Sequence, residues 1–71
     1  MMFDYSKLRG RIREKMKSEA AFAEAMGLSS VSMSAKLNSK VPWTDKEIKK
    51  ACELLDIPSE FIPVYFFSED S

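Results

Sequence analysis

The chain has 71 residues, 45% hydrophobic and 31% charged, with eleven cationic side chains balanced by eleven acidic ones and no histidine. That length holds one small folded domain, and the zero net charge removes the long-range attraction that a basic DNA-binding domain exerts. Without histidine, and with Cys52 as the lone cysteine, there is no histidine base, no ordinary zinc ligand set and no intrachain disulfide; no catalytic residue, metal or cofactor is expected, and the chain is not read as an enzyme.

Asp4 is a good helix N-cap, and Tyr5, Leu8, Ile12 and Met16 follow at helical spacing. A first helix is therefore expected over about residues 4–17, with its Arg and Lys side chains turned outward. Gly10 inside it costs about 1 kcal/mol relative to alanine, which a close approach of another backbone would explain. Charge is unevenly placed: residues 1–17 carry six cations against two acids, and residues 51–71 carry five acids and no cation. The basic run reads either as a phosphate-binding patch or as a solvated helix face.

Ser18 is placed to cap a second helix over about 19–26, where Phe22, Ala23 and Met26 share a face. Gly27 ends it by supplying a positive φ. Leu28 is expected to plug into the core and Ser29 to cap a third helix over about 30–37, whose buried edge is Met33 and Leu37. This is a helix-turn-helix, with Ala23, Gly27, Met33 and Leu37 as its scaffold; the small Ala23 lets the two helices cross closely. The outward residues Ser29, Ser30, Val31, Ser34 and Ala35 then form the face offered to DNA or to a protein partner. Glu19, Lys36, Asn38, Lys40 and Thr44 are candidates for phosphate or partner contacts, with the Lys36 stem along the core edge and its ammonium reaching out.

Pro42 forbids helix through the next connection, and Thr44-Asp45-Lys46-Glu47 is a capping box that opens a fourth helix over about 44–55. Trp43 is placed to staple onto Ile48, and Ile48, Ala51, Cys52 and Leu55 form the core face. Ile57-Pro58 stops that helix. Ser59 caps a last short helical segment within about 59–66, interrupted by Pro63. The run Tyr65-Phe66-Phe67 reads as core or as the patch of a weak homodimer, and residues 68–71 as a flexible tail. No apolar run is long enough to span a membrane or to serve as a secretion signal, so a cytoplasmic protein is expected.

The five-helix order, with Ala23, Gly27, Leu28-Ser29, Met33 and Asn38, resembles the helix-turn-helix domains of phage Cro and CI repressors over nearly the whole chain. The segments MMFDYSKLRGRIREKM, AFAEAMGLSSVSMSAKLNSKVPW and ACELLDIPSEFIPVYFF are similar to small Cro-like regulators of temperate phages of Gram-positive bacteria. Within that group the likeness is to the antirepressors encoded beside the CI repressor in lactococcal phages. The resemblance implies an all-α, compact five-helix lambda-repressor-like (Cro/CI) domain acting on the lysis-lysogeny switch in the bacterial host cell.

Two functions are open. An antirepressor would bind the N-terminal DNA-binding domain of the cognate CI repressor; a Cro-like repressor would bind operator DNA, alone or in a ternary complex with CI. In the family, the residue at Glu19 is commonly a Gln that holds a phosphate. A carboxylate there repels phosphate and suits a cation on a protein, unless it merely complements its own helix dipole. The first two turns of the third helix also expose no Arg, Lys, Asn or Gln to read bases. Both departures weigh toward a protein partner.

Overall fold

The structure, a computed structural model, describes residues 3–69. Its helices are α1 (Ser6–Met16), α2 (Glu19–Met26), α3 (Ser30–Leu37), α4 (Asp45–Leu55) and α5 (Ile62–Phe66), with a 3₁₀ turn at Ser59–Phe61 leading into α5.

Three helices start where a side chain takes up a free amide. Ser18 Oγ accepts from the Ala21 amide, Ser29 Oγ from Ser32, and Thr44 Oγ1 from Glu47 while the Glu47 carboxylate accepts from the Thr44 amide, completing the capping box. The first helix begins later than expected. Asp4 Oδ1 accepts from the Ser6 amide at 2.9 Å and from the Ser6 hydroxyl, so Asp4 forms a turn ahead of α1 and Tyr5 holds the cap position without a side-chain bond. These two bonds from Ser6 lower the Asp4 pKa from the usual carboxylate value.

Three of the helix ends share one device. After α2, Gly27 at φ 74° lets the Leu28 amide reach Ala23 O at 2.9 Å. After α3 and α4 the same geometry recurs with Ser39 (φ 61°) and Asp56 (φ 55°), and the Lys40 and Ile57 amides reach Ala35 O and Cys52 O, each at 2.9 Å.

One core joins all five helices. Leu8 and Ile12 of α1, Phe22 and Ala23 of α2, Met33 and Leu37 of α3, Ala51 and Leu55 of α4 and Phe66 of α5 are buried in it, with Leu28 and Met16 half-buried at its edge. Ala23 is buried on α2, which packs against both α1 and α3. Trp43 and Ile48 line one hollow with Phe66, whose ring meets the Trp43 indole edge-on at 5.3 Å.

The C-terminal segment differs from expectation in three ways. Pro63 does not interrupt the helix: it lies in the first turn of α5, where a missing N–H leaves no bond unmade. Ser59 opens the 3₁₀ turn and caps nothing with its side chain. Ser68 and Glu69 are held rather than loose, because Ser68 O accepts from the Asp4 amide at 2.7 Å and Glu69 pairs antiparallel with Phe3; Asp70 and Ser71 of the expected tail lie outside the described residues. The aromatic run divides, with Phe66 in the core, Tyr65 half-buried and Phe67 exposed against the edge of Phe3.

Gly10 meets no close approach of another element: apart from its chain neighbours and its own helix backbone, a Cβ there would have no atom within 4 Å. Gly10→Ala is therefore expected to stabilise the fold by about 1 kcal/mol, read as a higher urea midpoint at unchanged slope. Among the described residues, no helix is long and apolar enough to cross a membrane.

Candidate functional site

The outer face of α3 and the turn after it form a shallow hollow lined by Ser30, Val31, Ser34, Ala35, Asn38 and Lys40. The i, i+4 spacing of Ser30, Ser34 and Asn38 sets them along one line, with Val31 and Ala35 beside it. Val31 is 79% exposed, an apolar group standing free in the first turn of the helix. Lys40 makes no ion pair among the described residues.

The other candidate residues are engaged elsewhere. Ser29 is a cap, its Oγ accepting from the Ser32 amide and donating to the Ser32 hydroxyl, both at 3.1 Å. Thr44 is absorbed in the capping box of α4. Lys36 does not reach outward. It is buried, and its ammonium donates to Glu47 Oε1 at 2.8 Å and to Pro42 O at 3.1 Å, 5.9 Å from the centre of the Trp43 ring. With its ammonium held by Glu47 and the Pro42 carbonyl, Lys36 is not free to reach a phosphate. Burial works to raise the Glu47 pKa, but the bonds from Lys36 and Thr44 outweigh it and hold the carboxyl below its ordinary value.

Glu19 is likewise paired within the chain. Arg9 of α1 donates Nη1 to Glu19 Oε2 at 2.8 Å, and Nη2 to Asn38 Oδ1 at 3.0 Å and Leu37 O at 3.3 Å. One guanidinium thus ties α1 to the start of α2 and the end of α3. Arg11 does similar work on the opposite side, donating to Leu55 O at 2.9 Å and Asp56 O at 2.8 Å at the end of α4. Neither arginine is the freely solvated side chain expected of a basic helix face.

Because a lysine ammonium cannot span the Glu19 carboxylate and the α3 carbonyl as a fork does, Arg9→Lys is expected to lose about 1 kcal/mol and Arg9→Ala about 2 kcal/mol in urea unfolding. Position 36 carried a legible signal, since it lies three residues after Met33 on the buried edge of α3. Arg9 carried none, its partners being 10, 28 and 29 residues away. Cys52 is half-buried on α4, and burial raises its thiol pKa.

Fold and face together define an all-α five-helix helix-turn-helix domain of the lambda-repressor-like (Cro/CI) class, with a solvent-facing α3 nearly stripped of charge. The chain belongs to the family described as Protein of unknown function (DUF739), whose profile matches residues 1–69. It is similar to the solution structure of the modulator of repression (MOR) of the temperate bacteriophage TP901-1 from Lactococcus lactis, with 51% sequence identity over 94% of this chain and 90% of that one and a TM-score of 0.83. The likeness to small regulators of temperate phages expected from the sequence is thereby established. No curated protein matches the chain.

Proposed function

We propose that this chain is a non-enzymatic, cytoplasmic regulator of a temperate phage that binds the DNA-reading domain of the cognate CI repressor and relieves or alters repression. The observation that carries this reading is the face of α3, where an exposed Val31 stands among serines and Lys40 makes no ion pair among the described residues. DNA affinity grows with the number of phosphates neutralised, and with Lys36 buried against Glu47 and Arg9 held by Glu19 this face has little to neutralise them with. An apolar protrusion ringed by hydroxyls suits a protein surface better. The zero net charge and the exposed Glu24 on α2 also tolerate a basic partner that reads DNA. Similarity to a protein described as a modulator of repression supports the same role.

Titrating the protein into a preformed complex of the repressor with its operator tests this directly. The antirepressor reading expects free DNA to appear together with a repressor–protein complex that co-elutes. Binding of the protein to the operator alone, with a steep loss of affinity as salt rises, would support the Cro-like reading instead. A supershift without release would place both on the DNA as a ternary complex.

A further inference from the structure

The orientation of the Asn38 amide determines what the α3 hollow can bind. Arg9 has only donors, so the Asn38 atom 3.0 Å from Arg9 Nη2 must be the carbonyl Oδ1, and Nδ2 must face α3. There Nδ2 donates to Ser34 Oγ at 3.2 Å. A hydroxyl that already accepts a hydrogen bond turns its own proton elsewhere, and the Ser34 proton finds no acceptor among the described residues. The second hydrogen of Nδ2 is free in the same way. Lys40, lining the same hollow, adds an ammonium.

We propose that this hollow is a docking site for a carboxylate, the side chain of an Asp or Glu on the protein partner, and that Arg9 is the residue that positions it by fixing the Asn38 amide. The proposal rests on the reading of the chain as a repressor-binding protein. Ser34, Asn38 and Lys40 line one hollow and bring it three kinds of donor for a group that can only accept, and the cation selects a charged acceptor over a carbonyl. A discrete side chain fits better than a phosphate of a DNA strand. A strand running on past the hollow would need further cations for its neighbouring phosphates, and Arg9 and Lys36 are already held by Glu19 and Glu47, whereas one carboxylate needs only the hollow.

Asn38→Asp tests the polarity with a single-atom exchange. The new carboxylate keeps Arg9 as a partner, so the fold persists, but its second oxygen now draws in the Ser34 proton. Both neutral donors are lost to the hollow at once. The expected result is unchanged or raised thermal stability with repressor-domain affinity about tenfold weaker by calorimetry. Ser34→Ala is expected to weaken it by about threefold and Lys40→Gln by about tenfold, the latter flattening the salt dependence. Arg9→Lys should lower affinity while leaving the Ser34 and Lys40 side chains in place. Wild-type protein that binds the domain while Asn38→Asp, Ser34→Ala and Lys40→Gln all stay within about twofold of it would overturn the carboxylate site and leave the repressor-binding reading standing. Wild-type protein that ignores the domain would overturn both. Operator DNA bound by the wild type and lost in the same three variants would assign the hollow to phosphate and also overturn the proposal.

Discussion

Lys36→Met is expected to cost the fold about 3 kcal/mol at neutral pH, a large share of what a domain of this size can hold. The lysine side chain is 7% exposed and its Glu47 partner 21%, so removing the ammonium strands a carboxylate that water reaches poorly. Methionine fills the volume of the stem under Trp43, which makes the lost charge, not a cavity, the cause. Adding Glu47→Gln should restore most of the loss. The amide carbonyl can still accept from the Thr44 amide, which now donates to Glu47 at 2.9 Å, and no buried charge remains. Urea unfolding of the four proteins closes the cycle, and an additive double variant would show that the pair is not coupled.

The same pair sets an acid limit. Burial opposes ionisation of Glu47, yet the bonds from Lys36 and Thr44 prevail and its folded pKa lies below its unfolded one. Such a group contributes stability that is fully present above the unfolded pKa and is lost as pH falls through the folded pKa. In Lys36→Met the carboxyl no longer has its cation, its folded pKa rises, and acid has less to remove. The gap between wild type and variant should thus be widest near pH 7 and shrink as pH falls through the folded pKa of Glu47. A constant gap would locate the effect in packing.

The features legible in advance were those written in local spacing. Ser18, Ser29 and Thr44-Glu47 announce helix starts because capping joins residues three apart, and Gly27 announces a stop because few other residues take its φ freely. Ser39 and Asp56 perform the same stop without that announcement, since their side chains do not reveal a positive φ. The helix-turn-helix scaffold and the line of Ser30, Val31, Ser34 and Ala35 are periodic and were equally readable. The electrostatics of the site were not. An ion pair such as Arg9 with Glu19 depends on how α1 lies across α2, and that emerges only once the core is packed. Glu19 therefore admitted two readings, a contact with a partner cation or a dipole complement, and the geometry supplies a third. Lys36 departs from expectation for another reason: a lysine stem along a core edge ordinarily snorkels, whereas here Pro42 and Glu47 hold its ammonium.

Val31→Arg is expected to reverse the preference of the α3 face, weakening repressor-domain binding by about 100-fold while strengthening DNA binding with a steeper salt dependence. Val31 is 79% exposed and sits in the first turn of α3, so the substitution removes almost no core contact. A cation so near a helix N-terminus is mildly unfavourable, and the fold should lose no more than about 0.5 kcal/mol. The effect on binding is far larger because an interface that closes over a valine would have to make room for the longer side chain and strip the water from its guanidinium. The same guanidinium, early in a helix of this fold, is where a base-reading arginine would stand. Val31→Ala separates shape from charge. It removes two methyl groups, adds no repulsion, and should weaken the repressor complex by about fivefold with no gain for DNA. Unchanged repressor binding in both variants would mean that Val31 lies outside the contact, and strong operator binding by the wild type would mean that its face already does what Val31→Arg is designed to introduce.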